Sequence, residues 1–186
     1  MYSVRMNEII SLAVDITGKR GLVLILTKDS AHKNKTDLIA NLVLNGPLLI
    51  VAADEWLPGP PLPRILRRHG PKVKEDARRL RTVRASTSLR LLNSLSTIPS
   101  AGEPLLVLDL LHTFYDANVR LALRFRTLRR CCDHLGRIAR LRPVILLMRE
   151  RAGQEYEKFI TLVRRIAQRT LYLEPTAQTV SQPVLL

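Results

Sequence analysis

The chain has 186 residues, 30 of them Lys or Arg against 16 Asp or Glu, with 46% hydrophobic and 4% aromatic residues. That apolar share excludes a disordered polymer and predicts one buried core of ordinary domain size. No apolar run reaches the roughly 18 residues that a membrane span needs, and the adjacent pair Cys131 and Cys132 excludes a framework of disulfides.

Residues 1–15 carry Glu8 and Asp15 and lack the basic start, apolar stretch and small-residue cleavage site of a secretory signal. A cytoplasmic or other intracellular, reducing compartment is expected, with no membrane partner. The pattern then predicts a helix near 5–16, a strand at Gly21–Thr27 and a helix over 35–45. A second strand follows at Pro47–Ala53, and Pro58–Pro63 (PGPPLP) reads as a stiff surface loop. Short helices over 61–69 and 75–80 lead to a third strand, Arg81–Ala85, and a helix over 87–97. The fourth strand is Pro104–Leu111, the next helix spans 118–141, and strands at Pro143–Arg149 and Thr170–Glu174 flank a helix over 153–168. The runs at 21, 47, 104 and 143 are nearly continuous Leu, Ile and Val, as in central parallel strands covered on both faces. The alternation therefore predicts an α/β fold with a doubly wound sheet. In the helix over 118–141, Leu121, Phe125, Leu128, Cys132, Leu135 and Ile138 form the apolar stripe, with Arg120, Arg124, Arg126, Arg130 and Arg137 on other faces. The cysteines are expected to fill core.

The net charge of +14 is concentrated in two blocks. Residues 64–90 hold ten basic and two acidic side chains, and residues 120–151 again hold ten and two. Arginine dominates both, and its guanidinium grips phosphate bidentately. A phosphate backbone is the expected partner, with Arg64, Arg67, Arg68, Arg78, Arg79 and Arg84 in one patch and Arg120, Arg124, Arg126, Arg129 and Arg130 in a second. Aromatic residues are few, so backbone contact should dominate and sequence specificity should be low. Phe114 and Tyr115 are the best candidates for base stacking.

The first strand, loop and helix stand where a nucleotide-binding α/β protein carries its phosphate loop. The eight-residue pattern aligns with DSAHKNKT, Asp29–Thr36, placing Lys35 and Thr36 at the lysine and hydroxyl positions of a helix start. Asp29 and Asn34 replace both glycines, which restricts how the backbone wraps phosphates, while Lys33 and Lys35 at a helix N-terminus still favour an anion. The fourth strand reads LLVLD, four apolar residues ending in Asp109, the form that sets a carboxylate near magnesium in P-loop enzymes. His32, His69, His112 and His134 have no metal-ligand spacing and no nucleophile elbow appears. His112 alone lies just past a strand end, where sites of open α/β sheets gather.

In order, DSAHKNKT, LLIVAADEW, LPRILRRHG, RTVRASTSLRLLNSL and LLVLDLLHTFY resemble the RecA recombinase superfamily over roughly residues 15–175, in particular its ATPase-deficient paralogs. The resemblance implies a RecA-like P-loop NTPase fold with a degenerate Walker A; length and apolar content predict one domain over 1–175, and the lack of any helical or strand period predicts a flexible tail over 176–186. The resemblance assigns Lys35 and Thr36 to phosphate and magnesium, Glu55 to positioning the attacking water and Asp109 to the metal. It also implies a non-catalytic DNA-binding accessory factor of recombination or repair, alone, as a homo-oligomer or with RecA-like partner subunits. A divergent ATPase using ATP and Mg through Lys35, Thr36, Glu55 and Asp109 is one alternative. A structural assembly subunit meeting an acidic protein partner is the other.

Overall fold

Runs of Leu, Ile and Val with a two-residue alternation of faces build the sheet, and 3.6-residue stripes build the helices that cover it. The computed structural model describes residues 3–4, 20–28, 32–53, 78 and 80–173. Its strands are β1 (Ser3–Val4), β2 (Gly21–Thr27), β3 (Leu48–Ala52), β4 (Leu80–Arg84), β5 (Leu105–Leu108), β6 (Pro143–Arg149) and β7 (Arg169–Leu173). Its helices are α1 (His32–Leu44), α2 (Ser88–Thr97), α3 (Leu121–Ala139) and α4 (Gln154–Arg164), with a 3-10 turn at Leu110–Phe114. The fold is α/β: one sheet in the order β1-β7-β2-β6-β5-β3-β4, every pairing parallel. Among the described residues no helix is long and apolar enough to cross a membrane.

Strands β2, β3 and β5 are buried throughout and β6 up to Met148, because helices lie on both faces. Leu22, Leu24, Leu26, Val107 and Leu146 face α2, α3 and α4, whereas Val23, Ile25, Ile50 and Ile145 face α1. The distribution follows from chain direction. The crossover through α1 runs from β2 outward to β3, while those through α2, α3 and α4 run the opposite way, from β4 toward β7. Crossovers of one common hand then place α1 on one face and the other three helices on the other. Phe159 of α4 is fully buried at the centre of the second layer, with Phe125 at 4.6 Å, Tyr115 at 6.0 Å and Phe114 at 6.3 Å between ring centroids.

Several boundaries differ from the sequence reading for local reasons. The fourth strand ends at Leu108 rather than Leu111, because Asp109 takes a left-handed conformation, φ 48°, and the chain turns into the 3-10 segment. Aspartate tolerates that region better than most residues. Leu80 opens β4, so the helix expected over 75–80 does not extend to that residue. The helix expected over 118–141 starts at Leu121, which is 41% exposed and lies outside the buried stripe. Strand β1, beside β7, was not legible from its two residues. The helices expected near 5–16 and 61–69, the PGPPLP loop and the tail over 176–186 lie outside the described residues.

Helix α2 has a side-chain cap: Thr87 Oγ1 accepts from the Arg90 N–H at 3.2 Å. Thr87→Ala is expected to cost about 1 kcal/mol, the usual loss for an N-cap hydroxyl, measured as a shift of the urea unfolding midpoint at constant slope.

Candidate functional site

Open parallel sheets bind ligands beyond the carboxyl ends of their strands, where successive connections depart in opposite directions. Here that point lies between β2 and β6: the connection leaving β2 runs toward β3, and the one leaving β6 runs the other way to β7. Thr27 ends β2, Arg149 ends β6, and Asp109 follows β5 immediately alongside.

The two residues singled out 74 positions apart in the chain meet at this point. Lys35 Nζ, on the first turns of α1, donates to Asp109 Oδ2 in a buried ion pair, the two side chains being 7% and 11% exposed. Asp109 Oδ1 accepts from the backbone N–H of Arg149 at 3.0 Å, and the Asp109 N–H donates to Leu147 O at 2.8 Å. Both carboxylate oxygens are thereby engaged, and the left-handed turn at Asp109 is fixed against the end of β6. Thr36 and Thr27 are buried beside these elements. Partial burial strengthens the attraction between the two groups.

The surroundings differ from a phosphate-binding loop. Helix α1 begins at His32, three residues ahead of Lys35, so the last part of the segment aligned with the wrapped loop is helical instead. Lys35 and Thr36 consequently sit within the first turns, not at the helix start. Lys35 and Asp109 are thus engaged with each other, and Asp109 also with the backbone N–H of Arg149. Glu55 and Asp29 lie outside the described residues. No family model and no curated protein matches the chain.

The arginines divide into three groups. Arg64, Arg67, Arg68 and Arg79 lie outside the described residues, while Arg78 and Arg84 are exposed. Arg84 ends β4, the edge strand, and β5 and β3 separate it from the central strands β2 and β6 that α3 contacts. On α3, Arg126, Arg129 and Arg130 are exposed, and their three- and four-residue spacing puts them on one face. Arg137, about two turns beyond Arg130, and Arg140, about three turns beyond it at the C-cap, continue the same ridge; neither belongs to the sequence-derived patch, although the same spacing finds them. Arg137 Nη1 also donates to Ser100 Oγ. Arg120 is exposed but precedes the helix and stands off this face.

Arg124 is a correction. It is buried, its Nη1 donates to Phe114 O at 3.0 Å, and its Nη2 pairs with Glu155 of α4 at 2.9 Å. It ties α3 to the 3-10 turn and to α4, and no surface is left for a phosphate. The stacking candidates fail similarly: Phe114 is fully buried, and Tyr115 is half-buried with the Arg151 guanidinium 4.5 Å from its ring centre. Burial pushes the Tyr115 phenol up to about 12, against the opposing pull of Arg151. Both cysteines are buried, as expected, and burial pushes their thiols up to about 12, which keeps them protonated and unreactive at neutral pH. Among the described residues no three His, Cys, Asp or Glu side chains gather as a metal site would require. His112 is exposed on the 3-10 turn.

Proposed function

We propose that this chain is a RecA-like, non-catalytic DNA-binding protein, an accessory factor of recombination or repair that grips the phosphate backbone along α3. The observation that carries the reading is the ridge of Arg126, Arg129, Arg130, Arg137 and Arg140, exposed on one helix face and, among the described residues, without a carboxylate in ion-pair contact. Five arginines against the single exposed carboxylate on that face, Asp133, leave a net positive field that a polyanion neutralises with release of its counterions. The engaged Lys35–Asp109 pair supports the non-catalytic part, since nucleotide binding through these two residues would first have to break it. The parallel sheet with Lys35 and Asp109 at its carboxyl edge supports the RecA-like part.

Fluorescence anisotropy on labelled single- and double-stranded oligonucleotides, across a salt series with and without Mg-ATP, tests this. Five phosphate contacts predict a slope of log affinity against log salt of about −4.5 on duplex, unchanged by Mg-ATP. A requirement for Mg-ATP would replace the reading by the divergent ATPase. Absence of binding at low salt would replace it by an assembly subunit with an acidic protein partner.

A further inference from the structure

Beyond the strand ends lies a cleft of about 590 Å³ that the ridge does not use, formed by the start of α2, the 3-10 turn and the first half of α3. The volume falls within the range of specific binding pockets. Leu89, Val119, Leu123 and the Tyr115 ring supply its apolar lining, among hydroxyl-bearing side chains from Ser86, Thr87, Ser88, Thr113 and Thr127. Leu89 is 58% and Leu123 46% exposed, and Leu121, 41% exposed, stands two residues from Leu123. Three of the four large hydrophobic side chains left open to solvent among the described residues thus occur at or beside one cleft. Scattered exposed leucines need no explanation, but a cluster around a concavity marks a binding surface.

Positive charge gathers at and beside the cleft. Arg151 lines the cleft and is steadied over the Tyr115 ring, and Arg90 and Arg120 adjoin the lining residues Leu89 and Val119 in the chain. Helix α2 opens at the same place, with Ser88 as its first residue, and the positive end of its dipole adds to the arginines. Asp116 is the one acidic lining residue, and its Oδ1 already accepts from the Asn118 N–H at 2.9 Å. On the wall, Thr113 is more than nine-tenths buried and its hydroxyl has no hydrogen-bond partner, a cost that an entering peptide group would relieve.

We infer that this cleft docks a short segment of a partner protein, an apolar side chain seated among Leu89, Val119 and Leu123 with acidic residues on either side meeting Arg151, Arg90 and Arg120. Charge complementarity fixes the acidic flanks, and the leucine walls fix the anchor. The leucines also favour a peptide over a nucleic acid, whose bases stack on aromatic or guanidinium planes that Tyr115 and Arg151 here present to each other. The inference stands apart from the DNA reading, because its residues are not those of the ridge.

A phage-displayed library of random nonapeptides panned against the full chain tests it. The expected winners pair Leu, Ile or Phe with neighbouring Asp or Glu, and their synthetic forms lose about tenfold in affinity for Leu123→Asp, as for a buried anchor, while binding Arg129→Glu nearly as the parent. Leu123 and Arg151 are partly solvent-accessible, so Leu123→Asp and Arg151→Gln should keep the parent's thermal midpoint within a few degrees and give parallel losses. Failure to enrich any sequence, enrichment of acidity without an apolar anchor, or equal binding to Leu123→Asp would each overturn the proposal. Loss of oligodeoxythymidylate binding in Leu123→Asp would overturn it too, by assigning the cleft to nucleic acid.

Discussion

Asp109→Ala is expected to destabilise the chain by about 3–5 kcal/mol, the range for breaking a buried ion pair from one side. The magnitude follows from what is lost: Lys35 is almost fully buried and loses the Asp109 carboxylate, and the Arg149 N–H at the end of β6 loses its acceptor. Lys35→Met should cost less, because the Asp109 carboxylate left behind still accepts from the Arg149 N–H and the methionine retains an apolar stem. The double replacement Lys35→Met with Asp109→Leu should recover much of the Asp109→Ala loss, since a buried pair exchanged for apolar side chains of similar size is often near neutral. Urea unfolding of the three variants, analysed as a double-mutant cycle, measures this directly. A loss under about 1 kcal/mol for Asp109→Ala would place the pair among solvent-screened surface contacts and weaken the proposed non-catalytic reading.

The second large effect is on affinity. Simultaneous Arg126→Glu, Arg129→Glu and Arg130→Glu should weaken binding to DNA about a hundredfold at moderate salt and flatten the salt slope by about 3, one unit for each phosphate that is no longer neutralised. Stability should hardly change, because the three side chains are exposed and make no ion pair among the described residues. The same reversal would leave peptide capture by the cleft in place, so the two surfaces are separable by one set of variants. Equal weakening by Arg84→Glu at the sheet edge would instead mean that DNA crosses the whole face from α3 to β4. An unchanged slope in the triple variant would move the footprint away from α3.

The placement of arginines shows where sequence reading succeeds and stops. Block composition is additive along the chain, so the basic excess in residues 120–151 is plain without a structure. Which arginine faces solvent depends on partners brought from elsewhere: Arg124 differs from Arg126 only by two positions of helical rotation, yet Glu155 and the Phe114 carbonyl draw it inward. Arg137 and Arg140 are recoverable from spacing alone once Arg126 and Arg130 anchor the face.

Continuous apolar runs by themselves determined the α/β class and the four central strands β2, β3, β5 and β6, because a strand covered on both faces has to be apolar at every position, and the helical stripe of residues 118–141 determined the buried cysteines. Lys35 and Asp109 were likewise marked as candidates by their positions after a strand. Their pairing was decided only by the tertiary structure, which inserts β6 between β2 and β5 and brings the carboxyl ends of the strands into one row. The turn at Asp109 and the leucine cleft belong to the same level. Each depends on contacts between segments distant in the chain, and local periodicity, which records only which face of an element is apolar, carries no record of what that face will meet.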